Sequence, residues 1–220
     1  MPFPRTTLRI LLCALALQLG IQAADLQSWN SLDFGLYTGK RVRWWGTTTI
    51  RFKDHLQSAY DGYVGSFARV ALNSRWGMTA GYLYRQVNPD RTSHRAEHRL
   101  IATPSFLLHP GRTRVEAAMQ YERLKPIDHA PTYNRYRPRL VLERVRPGLS
   151  PFLSTEGMFA KEQFQRSRNM AGVRWHFEQG SMIEIGYQFE TIRSGPAWIS
   201  RHAIRTSFVI GDLHHLRHAD

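Results

Sequence analysis

Apolar and polar residues alternate along most of the chain, from about residue 29 to residue 210, in short segments divided by Gly, Pro, Asn and Asp. The clearest segment is 181–190. Its apolar face holds Ile183, Ile185, Tyr187 and Phe189, and its polar face holds Glu184, Gly186, Gln188 and Glu190. A period of two is that of a β-strand, because successive side chains of a strand point to opposite faces. The pattern therefore predicts an all-β protein.

Eleven segments of this kind follow one another. They are 29–38, 43–53, 60–72, 76–87, 95–108, 114–124, 134–145, 151–160, 168–177, 181–192 and 198–210. Connections after odd-numbered segments are tight and those after even-numbered segments longer and more polar, an asymmetry typical of bacterial outer-membrane barrels. Single-chain barrels of that class have even strand numbers. We therefore expect an antiparallel transmembrane β-barrel of ten to twelve strands, with twelve favoured.

Residues 1–24 have the pattern of a secretory signal peptide. Arg5 and Arg9 precede an apolar stretch, 10–19, and small residues that suit cleavage follow it at Ala23 or Ala24. The only Cys, Cys13, lies in this leader, so the mature chain would contain no disulfide. The expected organisation is a signal peptide over 1–24, a barrel over 25–212 and a polar, His-rich tail over 213–220.

The same alternation fits two barrels of opposite facing. A water-soluble, lipocalin-like barrel would turn its apolar faces inward, and a membrane barrel would turn them outward. Here the polar faces carry rows of Arg and Glu that can pair across a wet interior. The apolar faces carry Trp and Tyr near segment ends, as interfacial girdles do. Candidate interfacial aromatics are Trp44, Trp76, Tyr82, Tyr84, Trp175, Tyr187 and Trp198. The pattern favours the membrane barrel.

A formal net charge of +13 raises the question of nucleic-acid binding. No run of Lys and Arg exceeds two residues, and an exported chain has little access to nucleic acid. Exposed Arg side chains suit anionic head groups instead. We therefore expect location in the bacterial outer membrane. The expected partners are outer-membrane lipids, including anionic head groups, and the barrel assembly machinery, with no nucleic acid among them.

Short motifs along the whole chain resemble those of the domain of unknown function 2490 family of bacterial outer-membrane proteins. They are Trp29, 50–52, 81–84, 97–99, 121–123, 134–137, 156–159, 168–173 and 186–187. The resemblance implies a barrel and no particular activity, because that family has no settled function. One departure is the chain end. Such barrels usually finish on an aromatic residue that the assembly machinery reads, whereas here 209–220 follow Phe208.

Charged residues on the polar faces of segments five to ten are the strongest candidate site. They are Glu97, Arg99, Arg114, Glu116, Glu122, Arg135, Arg137, Arg139, Glu143, Glu156, Arg174, Glu184 and Glu190. Rings of charge can sort solutes in a narrow pore. Paired charges can instead fill the interior and stabilise it, because buried charges need partners. The close match of the two signs favours a filled interior over a selective channel.

Catalytic residues are not expected. The alternative is a lipid-modifying outer-membrane enzyme with Ser93 and His94 at its outer rim, but no G-x-S-x-G motif accompanies them. His94 and His98 would lie about 13 Å apart on a strand, too far to share a metal ion. His214, His215 and His218 could bind a metal, although a polar tail is the simpler interpretation. We expect no metal and no cofactor.

Overall fold

The computed structural model describes residues 26–53, 58–90, 93–110, 112–128, 130–146, 148–177 and 181–212. Eleven strands occupy these ranges. They are β1 Leu26–Thr38, β2 Val42–Lys53, β3 Ser58–Ala71, β4 Trp76–Asp90, β5 Ser93–Pro110, β6 Thr113–Pro126, β7 Tyr133–Arg144, β8 Leu149–Ala160, β9 Gln163–His176, β10 Met182–Ser194 and β11 Ala197–Asp212. Within the same ranges, no helix is long and apolar enough to cross a membrane.

The sheet is a closed barrel in which each strand pairs antiparallel with the next along the chain. The barrel closes through parallel pairing of β1 with β11, from Leu26 opposite His202 to Phe34 opposite Ile210. The predicted all-β barrel is confirmed, and the favoured count of twelve is wrong for the part of the chain that the structure describes. Even counts follow only if the first and last strands pair antiparallel, and here they run in the same direction.

The strand ends lie at two rims. Ends separated by 39–41, 72–75, 111–112, 145–148 and 177–181 lie at the β1–β2 rim, and ends separated by 54–57, 91–92, 127–132, 161–162 and 195–196 lie at the β2–β3 rim. The predicted alternation of short and long connections is wrong, because strands extend into segments that were assigned to loops. At 161–162, both residues have positive φ (Lys161 50°, Glu162 61°), as the two central residues of a type I′ hairpin turn require.

The faces of β10 match the period-two prediction. Glu184, Gln188 and Glu190 are 5%, 2% and 2% exposed, whereas Tyr187 is 36% exposed. On β5, Arg99 is 6% exposed and its neighbour Leu100 is 60% exposed. In a single closed sheet the buried face is the interior. The charged side chains therefore face inward and the apolar ones outward, opposite to the facing of a water-soluble barrel.

Candidate functional site

A series of ion pairs runs around the interior wall, close to the β2–β3 rim. Each of its carboxylates contacts at least two guanidinium groups. We call this set the charged belt. Its carboxylates are Asp61, Glu97, Glu122, Glu156 and Glu190, and its guanidinium groups belong to Arg51, Arg85, Arg99, Arg135, Arg137, Arg166 and Arg168.

Glu122 on β6 is a fully enclosed carboxylate of the belt, with a side chain that is 0% exposed. From β7, Arg137 Nη1 donates to Glu122 Oε1 at 2.7 Å, and Arg135 Nε donates to Glu122 Oε2. Arg99 Nη1 approaches Oε2 to 3.9 Å. The amide of Gln120 also donates to this carboxylate. Three cations therefore surround one buried anion, a geometry that holds Glu122 ionised and immobile.

Arg137 and Arg168 extend the belt across the next strands. Arg137 Nη2 lies 2.8 Å from both carboxylate oxygens of Glu156 on β8. Arg168 Nη1 lies 3.3 Å from Glu156 Oε1, and Arg168 Nε lies 2.5 Å from Glu190 Oε1 on β10. Arg166 adds a second contact to Glu190 at 3.0 Å. These shared contacts form an unbroken series of ion pairs from β6 to β10.

The belt continues in the other direction through Arg85 on β4. Arg85 donates to Glu97 at 2.9 Å and to Asp61 at 2.7 Å. Arg51 on β2 also contacts Asp61, with its Nη1 2.9 Å from Oδ2. Because Arg99 contacts both Glu97 and Glu122, the chain of ion pairs is continuous from β2 to β10.

Trp29 on β1 completes the belt without a charge. Its ring is 5% exposed and lies between two guanidinium groups, 4.0 Å from that of Arg51 and 5.0 Å from that of Arg168. Such contacts are attractive because the ring face carries partial negative charge. Trp29 Nε1 also donates to Gln27 Oε1 at 3.1 Å, which orients the ring. The belt therefore closes on itself across the β1–β11 side of the barrel.

A second, looser charge cluster lies near the β1–β2 rim. Arg174 contacts Glu143 and Glu184 at 2.8 Å each, and Arg114 contacts Glu116 at 2.6 Å. The side chain of Arg114 is 39% exposed, so this end of the interior is open to solvent. The two ends of the interior thus differ: one is filled by the belt and the other is accessible.

Twelve of the thirteen charged residues expected from the sequence form ion pairs, divided between the belt and the second cluster. Arg139 is the exception, because it is exposed and makes no ion pair with a described residue. Belt members that sequence reasoning missed are Trp29, Arg51, Asp61, Arg85, Arg166 and Arg168. For Arg51 the sequence contained a signal, because Thr47, Thr49 and Arg51 alternate along β2 and therefore share one polar face.

The candidate interfacial aromatics lie on the outer face. Trp44, Trp76, Tyr82, Tyr187 and Trp198 are 36% to 50% exposed, and Tyr84 and Trp175 are partly exposed. Trp44, Trp76 and Trp175 lie toward the β1–β2 rim. Tyr84 and Trp198 lie toward the β2–β3 rim, and Tyr187 lies near the middle of β10. The outer face thus carries aromatic side chains toward both rims.

The residues proposed for catalysis or metal binding are mostly outside the described structure. Residues 1–24 and the tail histidines lie outside it, as do the side chains of Ser93 and His94. His98 faces outward, and its Nδ1 lies 2.5 Å from the hydroxyl of Tyr82. Among the described residues, no three side chains of His, Cys, Asp or Glu are grouped as metal ligands would be.

Comparison with known proteins identifies a family but no characterised relative. Neither a curated protein nor a solved structure matches the chain. A family described as protein of unknown function (DUF2490) matches residues 26–200, which span β1 to β10 and the start of β11. The match confirms the resemblance drawn from the sequence motifs: the chain belongs to the DUF2490 family.

Proposed function

We propose that the chain is a bacterial outer-membrane β-barrel, exported by residues 1–24, whose charged belt fills the interior near one rim. In this role the barrel is structural or passes only small solutes, and it performs no catalysis. Its partners are the barrel assembly machinery and outer-membrane lipids. The observation that carries the proposal is the facing of the strands, with ion pairs buried inside and apolar side chains exposed outside.

The exposed apolar face supports a lipid environment. Val64, Leu100 and Leu153 are 53%, 60% and 55% exposed near the middle of their strands. Extensive exposed apolar surface is rare on soluble monomers, because its contact with water is unfavourable. In a bilayer the same side chains contact lipid tails, and the closed sheet leaves no backbone edge unpaired.

Aromatic spacing along β9 agrees with membrane dimensions. Phe164 and Trp175 both lie on the outer face, one toward each rim. Eleven residues of strand span about 36 Å. A tilt of about 40° reduces this length to a height of about 28 Å, close to the apolar band of about 25 Å that separates the girdles of outer-membrane barrels.

The contacts of the belt favour a filled interior over an open channel. Each belt carboxylate is held by two or three guanidinium groups, and the side chains of Asp61 and Glu122 are 0% exposed. A selective channel needs charged groups that face mobile water and ions. Here the charged groups of the belt face one another.

Location in the membrane and filling of the interior can be tested on the same purified protein. We expect the protein to fractionate with outer membranes and to migrate differently on gels before and after boiling. In planar bilayers we expect little conductance from the parent protein and more from Arg137→Ala, because that change removes a cation shared by two carboxylates. Recovery as a soluble periplasmic protein would overturn the membrane assignment. Large, ion-selective conductance in the unmodified protein would overturn the filled interior.

The loss of stability caused by an Arg on the outer face should depend on how deeply that position lies in the membrane. Ile185 faces outward on β10, three residues in from Met182, so Ile185→Arg is expected to lower the free energy of unfolding in liposomes by up to about 2–4 kcal/mol. Ser200→Arg is the matched control, because Ser200 is exposed near the β2–β3 rim, where the cost falls to about 0–1 kcal/mol. Equal tolerance at both positions would show that Ile185 does not contact the bilayer core.

A further inference from the structure

The open end of the interior contains a cationic pocket at the β1–β2 rim. The pocket has a volume of about 290 Å³ and is lined by Arg69, Arg75 and Arg114, together with Asn73, Ser74 and Leu107. None of the described residues that line it is Asp or Glu. Three like charges therefore share one small cavity whose wall supplies no counter-charge.

Neighbouring residues position the guanidinium group of Arg69 and the backbone of Arg75. Arg69 Nη2 lies 3.4 Å from Ser105 Oγ, and the guanidinium lies over Gly77, where a Cβ atom would come within 3.1 Å of Arg69 Nε and Nη2. Arg75 is fixed at its backbone, because its carbonyl accepts from Leu107 N at 2.8 Å and its N–H donates to Asn73 Oδ1 at 2.8 Å. The pocket is thus built by the β3–β4 turn and its strands.

The third guanidinium, that of Arg114, has a carboxylate partner outside the pocket lining. Arg114 Nη2 lies 2.6 Å from Glu116 Oε2, and the two side chains are 39% and 15% exposed. Because this pair is accessible to water, its net stabilisation is small. Arg114 can therefore turn toward an anion in the pocket at little cost.

The described turn residues of the surrounding rim have the same sign of charge. Its described turn residues include Lys40, Arg41, Arg75, Arg112 and Arg146 and contain no Asp or Glu. The described turn residues of the β2–β3 rim are mixed, with Asp128, Lys161 and Glu162. A positive rim attracts anions toward the pocket over distances comparable to the Debye length, about 8–10 Å at physiological salt.

We propose that this pocket binds a phosphate group, carried either by a lipid head group or by a small soluble solute. Guanidinium groups match phosphate oxygens in geometry and charge, and a bound dianion would relieve repulsion among the three cations. The volume suits a small ligand, since it lies just below the range of about 300–1,000 Å³ for drug-sized pockets. This site requires only the β1–β2 end of the barrel, so it can bind phosphate whether or not ions pass the charged belt.

The test measures phosphate binding to the purified, folded barrel in neutral detergent. One arm titrates pyrophosphate by calorimetry, and the other measures retention of phosphatidic acid by native mass spectrometry. We expect saturable binding in at least one arm, weakened about tenfold by Arg69→Gln or Arg75→Gln, because each removes a charge-assisted hydrogen bond. Arg146→Gln is the matched control, since Arg146 lies exposed at the same rim and does not line the pocket.

A variant that is expected to bind phosphate more tightly provides a second test. Glu116→Gln releases Arg114 from its carboxylate partner, so we expect phosphate to bind about two- to fivefold more tightly, as the energy of an exposed pair implies. Each variant is first checked for the gel-mobility shift of a folded barrel. Binding of pyrophosphate alone identifies a soluble ligand, and binding of phosphatidic acid alone identifies a lipid. Absence of saturable binding in both arms, or an equal loss in Arg146→Gln, overturns the proposal.

Discussion

Glu122→Gln is expected to lower the free energy of unfolding by about 5 kcal/mol, the upper end of the range for breaking a buried ion pair from one side. The substitution keeps the shape of the side chain and removes its charge. Arg99, Arg135 and Arg137 then face one another around a side chain that is 0% exposed and no longer carries the opposite charge. Urea unfolding followed by Trp fluorescence measures the loss, since the chain contains six Trp residues.

Glu116→Gln is the matched control for this measurement. Among the described residues, Glu116 has one cation within ion-pair distance, Arg114, whose side chain is 39% exposed. We expect its removal to cost about 0–1 kcal/mol, as for other exposed pairs. If Glu122→Gln proved no more damaging than Glu116→Gln, the belt would not be the stabilising network that the contacts indicate.

Arg137→Met is expected to cost about 3 kcal/mol, at the lower end of the same range. The cost is lower than for Glu122→Gln because both carboxylates that lose Arg137 keep another cation. Glu122 retains Arg135, and Glu156 retains Arg168. Adding Glu156→Gln should restore part of the lost stability, since the second change removes the carboxylate that Arg137→Met leaves underneutralised.

A double-mutant cycle between Arg137 and Glu156 separates the filled interior from an open one. In a filled interior we expect the coupling energy to exceed 1 kcal/mol, whereas a water-filled pore would reduce it to about 0–1 kcal/mol. Arg137 with Glu116 is the control pair. Both residues are among the interior charges expected from the sequence, but the structure pairs Glu116 with Arg114, so no coupling is expected. Comparable coupling in both pairs would contradict the assigned contacts.

The faces of individual strands could be predicted from the sequence because alternation is a local property. Ile185 and Glu184 were assigned to opposite faces from neighbouring residues alone. Closure could not be predicted in the same way, because the pairing of β1 with β11 joins distant parts of the chain. The turn at Lys161 and Glu162 was also missed, since positive φ at two residues other than Gly has no clear composition signal.

The charged residues of the interior could be predicted as a set, but their partners could not. Which Glu meets Arg137 depends on strand register, and long Arg side chains reach beyond the residue directly opposite: Arg137 lies opposite Gln120 yet contacts Glu122. The part played by Trp29 had no signal in the sequence. An aromatic residue among charges becomes informative only when the strands on either side of it are known.

Parallel closure of β1 with β11 has a consequence for assembly. Ten of the eleven pairings in the described barrel join consecutive strands and can form one after another, whereas the last must bring together residues as distant as Leu26 and His202. Until that seam forms, β1 and β11 are both unprotected edges, open to pairing with another chain. Trp29, at this seam, would also be absent from between Arg51 and Arg168. Completion of the belt and sealing of the edge therefore become a single, late and cooperative event, and an intermediate stalled before it would be prone to aggregation.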